Sequence, residues 1–202
     1  MSGAEAGGAA GGEAAGGAGS WEASSGHAGR EPGGRGPVGG PGIRALAITV
    51  SNRASAGVYE DKSGPVLAGL LAEAGCAVDG PLVIPDGDPV EKALRDGVAA
   101  GYRVIVTTGG TGLTPGDLTP EMTRKVIDQE IPGISESIRA AGVAAGIPSA
   151  MLSRGVAGLA GDVLIVNLPG SSGGVKDGMR VLSPVLTHAV DQARGGDHPR
   201  SG

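Results

Sequence analysis

The stretch Val104–Glu121, VIVTTGGTGLTPGDLTPE, carries the clearest signal of the fold. It starts with a β-branched run, passes through a glycine-rich turn and an aspartate, and ends in Thr-Pro-Glu, which is typical of a helix start. We predict a buried strand over Arg103–Thr107 and a helix that Thr119 caps and that continues to about Asp128. The order of strand, glycine turn and helix is typical of α/β proteins that bind ligands beyond the carboxyl ends of their strands.

The same alternation continues on both sides of this stretch. Short apolar runs predict strands, and apolar positions at helical spacing between them predict helices that begin near Pro65, Asp88, Ile134 and Gly174. The other predicted strands are Ile43–Val50, Ala77–Ile84, Asp162–Leu168 and a short one over Ala150–Arg154. The expected fold class is therefore α/β, a three-layer αβα architecture with a mostly parallel sheet.

Composition separates one domain from its two ends. Residues 1–42 hold 16 of the 41 glycines and contain no Val, Leu or Ile before Val38, so they cannot bury enough apolar surface to offset their ordering entropy. We predict a disordered Gly/Ala-rich tail over 1–42, one domain over 43–194 and a frayed C-terminus over 195–202. The start of the chain lacks the basic and apolar regions of a signal peptide.

Charge and cysteine content exclude several classes of protein. The net charge of −5 and the scattered basic residues argue against nucleic-acid binding. The single cysteine, Cys76, excludes an internal disulfide and a cysteine-rich metal site, and we expect it to lie in the core. No apolar run approaches the roughly 20 residues of a membrane span. We therefore expect a cytoplasmic protein that does not associate with membranes.

Four polar loops are predicted to meet at one edge of the sheet, because each follows the carboxyl end of a predicted strand or belongs to a strand–helix turn. They are Ser51–Asn52, the turn at Asp86, Gly109–Asp117 and Pro169–Gly174. The glycine turn leaves backbone N–H groups unshielded, which favours an anion site. A plain tight turn is the alternative. The turn lacks the residues of a Walker-type phosphate loop and the spacing of a dinucleotide fingerprint.

Two aspartates are candidates for a metal site. Asp117 follows the glycine turn, and Asp86 follows another strand, so the predicted edge brings a pair of carboxylates to an anion site. A hard divalent cation prefers oxygen ligands and substrate phosphates. Both residues have ordinary alternatives. Asp117 suits an Asx turn or a position that leads into a helix, and the turn at Asp86 contains common turn formers. The loop Pro169–Gly174 suits an anion at a helix start or a serine cap, and Ser51 and Asn52 likewise suit binding or capping.

Over about Arg44–Val190 the chain resembles the Mog/MoaB family of molybdenum cofactor biosynthesis proteins, whose superfamily includes the gephyrin G domain. Several motifs, in order, carry the resemblance. They are SNRASAGVYEDKSG at 51–64, PD at 85–86, TTGGTG at 107–112 with Asp117, TPE at 119–121, IPG at 131–133, LSR at 152–154 and NLPG at 167–170.

The resemblance implies a molybdopterin-binding fold, commonly trimeric, whose better-defined enzymes adenylylate molybdopterin with ATP and Mg²⁺. Asp86 and Asp117 match the aspartates assigned to catalysis and magnesium. The substrate-binding candidates are Ser51, Thr108, Gly109, Gly110, Thr111, Gly112, Thr119, Glu121, Ser153, Pro169, Gly170 and Ser171. The expected partners are molybdopterin, ATP, two further copies of the chain and a molybdenum-insertion protein.

Our interpretation is therefore a molybdopterin adenylyltransferase. The segment Ala54–Lys62 is closer to the Mog members, and both aspartates are retained, which favours the enzyme. A non-catalytic module that binds or carries molybdopterin is the main alternative, and action on another nucleotide is a third. The interpretation requires Asp86 and Asp117 to lie together beside the glycine turn.

Overall fold

The computed structural model describes residues 42–196, all within one compact unit. The predicted tail, up to residue 41, and the C-terminal end from residue 197 lie outside the described residues. The strands are β1 Arg44–Val50, β2 Ala77–Ile84, β3 Val104–Thr108, β4 Gln129–Glu130, β5 Ala157–Ala160 and β6 Val163–Leu168. The α-helices are α1 Asn52–Ser55, α2 Ser63–Glu73, α3 Asp88–Ala99, α4 Thr119–Arg124, α5 Pro132–Ala144 and α6 Ser172–Ala193.

The six strands form one sheet in the order β2-β1-β3-β6-β5-β4. The first four strands in this order are parallel, whereas β5 is antiparallel to β6 and β4 is antiparallel to β5. The prediction of a mostly parallel sheet is confirmed. Its central strands β3 and β6 are buried along their full length, which explains their continuous apolar sequences.

Helices cover both faces of the sheet, and alternate strand residues serve the two faces. Ala45, Ala47, Val104 and Val106 pack in the cluster that also contains apolar side chains of α2, α5 and α6. Leu46, Ile48, Val50 and Ile105 pack in the opposite cluster with α3 and α4. The three-layer αβα architecture is therefore confirmed, and Cys76 lies in the first cluster as expected.

Small residues allow the helices to pack close to the sheet in this aromatic-poor core. A Cβ on Gly97 of α3 would lie 2.7 Å from Cδ1 of Ile105, and a Cβ on Gly178 of α6 would lie 2.7 Å from Cδ2 of Leu168. Both glycines are buried in their helices. Close backbone approach therefore gives the contact that larger aromatic side chains provide in other cores.

Three sequence predictions about local structure are wrong. The segment predicted as a strand at Ala150–Arg154 overlaps a 3-10 helix over Pro148–Leu152, and the neighbouring strand is β5. The helix predicted to reach Asp128 ends at Arg124, because the chain must turn before β4 pairs with β5. The loop after β1 contains the short helix α1, which sequence patterning does not indicate.

A buried polar network joins the end of β6 to its neighbours. The side chain of Asn167 is 3% exposed, and its Nδ2 donates to Oγ1 of Thr107 at 3.0 Å and to Oγ1 of Thr123 at 2.9 Å. Its Oδ1 accepts from the backbone N–H of Val156 at 3.2 Å. Asn167 thus links β3, β6, α4 and the entry to β5, the elements whose ends carry the loops at the carboxyl edge.

Asn167→Ala should lower the free energy of unfolding by about 1–3 kcal/mol, because it leaves buried groups without partners. Thr123→Val should cost less, since it removes one partner only. Gln129→Ala, at an exposed edge-strand position, should change stability by less than about 0.5 kcal/mol. Urea unfolding followed by circular dichroism measures all three. Equal losses for Asn167→Ala and Gln129→Ala would contradict a structural role for the network.

Candidate functional site

Two cavities lie side by side at the carboxyl edge of the parallel strands. The first, of about 620 Å³, is lined by the end of β1 and by the loops that follow β1, β2, β3 and β6. The second, of about 540 Å³, lies between the loop after β3, the 3-10 helix and the start of α6. Both contain Gly110, Asp117, Gly170 and Ser171 in their walls. These four residues therefore separate two spaces that are each large enough for a small molecule.

Most of the site residues predicted from sequence meet here. The four polar loops lie at one edge, as predicted, and Asp86 and Asp117 line the same first cavity. Candidates that line the first cavity are Ser51, Asp86, Gly109, Gly110, Asp117, Gly170 and Ser171. Those that the second cavity adds are Thr111, Gly112, Ser153 and Pro169. The substrate-binding roles of these residues stay predictions.

Thr108, Thr119 and Glu121 are candidates that line neither cavity in the described part of the chain. Thr108 and Thr119 are fully buried, and the Thr108 hydroxyl donates to the Pro169 carbonyl oxygen at 2.8 Å. The prediction that Thr119 caps α4 is wrong: Thr119 is the first residue of the helix, and its hydroxyl donates to Oδ1 of Asp86 at 3.2 Å. These residues support the site from behind.

The carboxylate of Asp86 is half-buried and is held by three donors. Its Oδ1 accepts from the N–H of Gly87 at 2.7 Å and from the Thr119 hydroxyl, and its Oδ2 accepts from the N–H of Leu118 at 3.1 Å. Burial raises the pKa of Asp86 above its ordinary value. The three hydrogen bonds lower this pKa in part, and the negative charge of Asp117 adds to the rise. The carboxylate is therefore rigidly oriented in a place that disfavours its negative charge.

Asp117 lies at the end of the glycine loop and closes a small turn. Its Oδ2 accepts from the N–H of Thr114 at 3.1 Å and from the Thr114 hydroxyl at 2.5 Å. The Asx-turn alternative is wrong, because an Asx side chain accepts from an N–H two residues later, whereas Asp117 accepts from Thr114, three residues earlier. The alternative of a helix-leading residue is correct, since α4 starts two residues after Asp117. It does not exclude a second role, because Oδ1 accepts no hydrogen bond from the described residues and the side chain lines both cavities.

The loop after β3 requires glycine at two consecutive positions. Gly109 has a φ of 98°, and a Cβ there would lie 2.2 Å from the carbonyl oxygen of Val50. Gly110 has a φ of 64°, and a Cβ there would lie 2.1 Å from Oδ2 of Asp86 and 2.2 Å from Oγ1 of Thr119. The two glycines let the backbone itself form the wall beside Asp86.

Comparison with known proteins agrees with this arrangement. A family model described as "Probable molybdopterin binding domain" matches residues 46–188, which include the strand ends and the glycine loop of both cavities. The chain belongs to this molybdopterin-binding domain family.

Three relatives illustrate the similarity. The chain is 36% identical to the molybdopterin adenylyltransferase of Helicobacter pylori strain J99 over 156 residues, which cover 73% of this chain and 86% of that protein. A solved structure of MogA is 51% identical with a TM-score of 0.72, covering 74% of this chain and 99% of that chain. The structure of the molybdopterin biosynthesis Mog protein from Mycobacterium ulcerans is 49% identical with a TM-score of 0.70. The match covers 74% of this chain and 97% of that chain.

Other relatives are much longer than the matched region. The chain spans 24% of the Drosophila melanogaster molybdenum cofactor synthesis protein cinnamon, at 40% identity over 71% of this chain. It spans 49% and 50% of the molybdenum cofactor biosynthesis bifunctional proteins of Synechococcus elongatus and Chlorobaculum tepidum, both at 36% identity. The molybdopterin-binding domain is therefore one part of these proteins.

Several residues of the site belong to the sequence motifs but are not among the predicted site residues. Tyr59, Asp61 and Lys62, which precede α2, line the first cavity. The Asp61 carboxylate caps the helix by accepting from the N–H groups of Ser63 at 3.1 Å and Gly64 at 2.9 Å. This cap holds the neighbouring Lys62 at the cavity wall. Asp61 lies two residues before Ser63-Gly64-Pro65, and an acidic residue at such a helix start is the signal that could have identified this corner of the site.

Ser51 and Ser171, for which binding and helix capping were the two alternatives, both cap helices and both line the first cavity. Oγ of Ser51 accepts from the N–H of Ala54 at 3.1 Å, and Oγ of Ser171 accepts from the N–H of Gly174 at 3.0 Å. Both serines line the first cavity. The starts of α1 and of the long helix α6 therefore point toward the same space. The α6 dipole favours an anion there.

The donor set fits a magnesium ion that substrate phosphates help to hold. Within residues 42–196, no group of three or more His, Cys, Asp or Glu side chains forms a complete metal cage. Asp86 and Asp117 offer two carboxylates in one cavity. Mg²⁺ is commonly bound by one or two carboxylates together with water and phosphate oxygens.

None of the helices in the described part of the chain is long and apolar enough to cross a membrane.

In cation-free protein, the Asp86 carboxyl should titrate above the ordinary aspartate range. Deprotonation then costs more in the folded than in the unfolded chain, so the contribution of this group to stability falls as the pH rises from the ordinary value through the raised pKa. Asp117→Asn should move the Asp86 pKa down, because it removes a neighbouring negative charge. Side-chain ¹³C NMR titration measures the Asp86 pKa in the wild-type protein and in Asp117→Asn. An Asp86 pKa that does not change in Asp117→Asn would contradict the electrostatic coupling.

Proposed function

We propose that this chain is a molybdopterin adenylyltransferase that transfers AMP from ATP to the phosphate of molybdopterin, with Mg²⁺ as cofactor. The observation that supports it best is the wall of Gly110, Asp117, Gly170 and Ser171 between two small-molecule cavities. A reaction that joins two phosphate-bearing molecules needs two adjacent spaces and a polar boundary. The similarity to adenylyltransferases over two thirds or more of their length points the same way.

The proposed reaction is one displacement at phosphorus. An oxygen of the molybdopterin phosphate attacks the α-phosphorus of ATP, a new P–O bond forms, and the bond from the α-phosphorus to the bridging oxygen breaks. Pyrophosphate leaves with the electron pair of that bond. The attacking phosphate oxygen is already ionised at neutral pH, so no side chain has to remove a proton. This accounts for a site whose candidate residues include no His or Cys.

The protein's contribution would then be positioning and electrostatics. The backbone N–H groups of Gly110, Thr111 and Gly112 donate to no other described residue. Gly110 lines both cavities, and Thr111 and Gly112 line the second. These N–H groups would donate hydrogen bonds to phosphate oxygens. Lys62 and the start of α6 add positive potential to the first cavity. Asp86 and Asp117 would hold Mg²⁺.

When bound, Mg²⁺ would neutralise phosphate charge and draw phosphate oxygens together. The chain's own residues prepare for this: three donors fix the direction of the Asp86 carboxylate, and the Thr114 turn fixes that of Asp117. Both carboxylates are held before any ligand arrives, so little reorganisation is needed. The homotrimer and a molybdenum-insertion protein as recipient of the product belong to the same proposal. The bifunctional relatives, of which this chain spans half, support such a recipient.

Asp117→Asn and Asp86→Asn should each lower the rate of AMP transfer about 100-fold or more, because each removes a charge that holds the cation. Asp88→Asn is the matched control: this exposed aspartate begins α3 two residues from Asp86 and lines neither cavity in the described residues. It should keep the wild-type rate. The assay follows adenylylated molybdopterin from ATP, Mg²⁺ and molybdopterin. Wild-type protein that binds molybdopterin without AMP transfer would replace the proposal with the carrier function.

Gly110→Ala should lower AMP transfer by roughly 100-fold, because a displacement of about 1 Å at a catalytic group has effects of this size. The added Cβ collides with Asp86 and Thr119, and the positive φ disfavours alanine. Gly69→Ala is the control, since its Cβ would meet nothing within 4 Å and it lies on the exposed face of α2. Thermal melting separates loss of function from unfolding. Full activity in Gly110→Ala would argue against a role for this loop geometry.

A further inference from the structure

Arg154, the residue after the site candidate Ser153, contacts the glycine loop from behind. Its Nε donates to the carbonyl oxygen of Gly112 at 2.7 Å, and its Nη2 donates to the carbonyl oxygen of Asp117. Its Nη1 donates to Oε1 of Glu121, and its backbone N–H donates to the carbonyl oxygen of Thr111 at 2.9 Å. One side chain therefore joins both ends of the segment 112–117 to α4.

Nothing else in the described part of the chain fixes this segment by hydrogen bonds. The remaining hydrogen bonds of residues 112–117 are internal, between Thr114 and Asp117. Within residues 42–196, Arg154 makes every hydrogen bond that connects this segment to the rest of the chain. Leu113 is 65% exposed, so apolar packing gives the tip little support. Arg154 thus supplies the hydrogen bonds that hold residues 112–117 themselves, and the N–H of the adjacent Leu118 donates to Asp86.

Arg154 does not face the substrate cavities. It lines a separate cavity of about 300 Å³ behind the loop, whereas its neighbour Ser153 lines the second substrate cavity. The Arg154 side chain is 33% exposed. A residue in this place acts on the loop carbonyls and not on a ligand.

Glu121 gives the guanidinium its orientation. Glu121 projects from the first turn of α4, a helix anchored by its buried residues Thr119, Pro120, Met122 and Thr123. Burial raises the pKa of Glu121, but the hydrogen bond from Arg154, a backbone hydrogen bond and the charges of Arg154 and Arg124 together lower it further, so this pKa lies below its ordinary value. The pair is therefore ionised at neutral pH, and the planar guanidinium presents its other donors to the two carbonyl oxygens.

We propose that Arg154, oriented by Glu121, is the positioning residue that sets where the Asp117 carboxylate lies between the two cavities. Arg154 acts through the backbone of the loop, so it controls cation affinity and contacts neither substrate. Its role in turnover rests on the proposed function, whereas its hold on the loop does not. The two parts can therefore be tested separately.

Hydrogen-exchange mass spectrometry tests the hold on the loop. In Arg154→Gln, the amides of Thr114 and Asp117 should exchange about tenfold faster, because each donates to the other residue inside a loop that Arg154 no longer holds. Arg154→Lys should not restore protection, because one ammonium group cannot replace the planar fork. Glu121→Gln should give an intermediate increase. Unchanged exchange in residues 113–118 of Arg154→Gln and Arg154→Lys would overturn the proposal.

Arg103→Gln is the matched control. Arg103 forms an ion pair with Asp162, and its side chain is 35% exposed, close to the 33% of Arg154. Arg103 precedes β3, however, so it lies at the opposite end of that strand from the glycine loop. It should leave exchange of residues 113–118 unchanged. If Arg103→Gln and Arg154→Gln raise exchange equally in this segment, the effect is general destabilisation and the proposal fails.

Cation binding tests the effect on Asp117 without an activity assay. With Mn²⁺ as an electron-paramagnetic-resonance probe in the presence of ATP, Arg154→Gln should weaken Mn²⁺ binding about tenfold. It should have no further effect when Asp117→Asn is already present, because Arg154 acts through Asp117. If the losses of Mn²⁺ affinity from Arg154→Gln and Asp117→Asn add in the double variant, the positioning role fails. It also fails if Arg154→Gln shows faster loop exchange but unchanged Mn²⁺ affinity.

Turnover completes the test. In Arg154→Gln, the Mg²⁺ concentration for half-maximal AMP transfer should rise about tenfold, with most of kcat recovered at saturating Mg²⁺. Loss of kcat that excess Mg²⁺ does not recover would overturn positioning through cation affinity. If wild-type protein transfers no AMP, the proposed function fails, while the exchange result still decides whether Arg154 holds the loop.

Discussion

The parallel register of the central strands is the constraint on which the site depends. Val50 of β1 lies opposite Ile84 of β2, while Thr49 of β1 pairs in register with Thr108 of β3. Thr108 in turn lies opposite Leu168 of β6. The four strands therefore end at nearly one level, and their following loops leave the sheet side by side. A shift of register would separate carboxylates and loops that are far apart in sequence.

This register also explains why the site is built largely from backbone. Where β3 ends, Gly109 passes so close to the Val50 carbonyl oxygen that no Cβ fits between them, and Gly170 lies against Gly109. Neighbouring loops can approach this closely only where side chains are absent. The resulting surface presents peptide groups at fixed positions, and the carboxylates of Asp86 and Asp117 lie beside it in the first cavity. Backbone donors of this kind cost no side-chain ordering when a ligand binds.

The parts of the fold that sequence predicts are those with strong local signals. β3 and β6 are continuous apolar runs, and α3 carries its apolar residues on one face, so their types follow from short stretches of chain. β4 has two exposed residues, and β5 is a four-residue run containing glycine. Neither shows a strand period, and both exist because β6 offers an edge for pairing. Only the three-dimensional sheet provides that information.

The residues of the candidate site also differ in how clearly the local sequence indicates them. Gly109 and Gly110 are recognisable from sequence, because consecutive glycines directly after a buried strand indicate a sharp turn with exposed peptide groups. Thr119 resembles a helix cap because Thr-Pro-Glu is a common helix start, yet Asp86 accepts from its hydroxyl. That competing partner lies 33 residues away in sequence. Arg154 carries no local signal either, since the three acceptors of its side chain belong to a different segment of the chain.

Electrostatics supports the proposed enzyme over the alternative of a simple carrier. A site that only stored an anionic pterin would gain from positive charge alone, whereas this one also places two carboxylates beside Lys62 and the glycine loop. The charge of Asp117 already raises the pKa of Asp86, so the pair repels itself even before an anion enters. Anion and carboxylates become compatible once a divalent cation lies between them. Ligand binding and cation binding should therefore be thermodynamically coupled, and a cation held between phosphate groups is what phosphoryl-group chemistry uses.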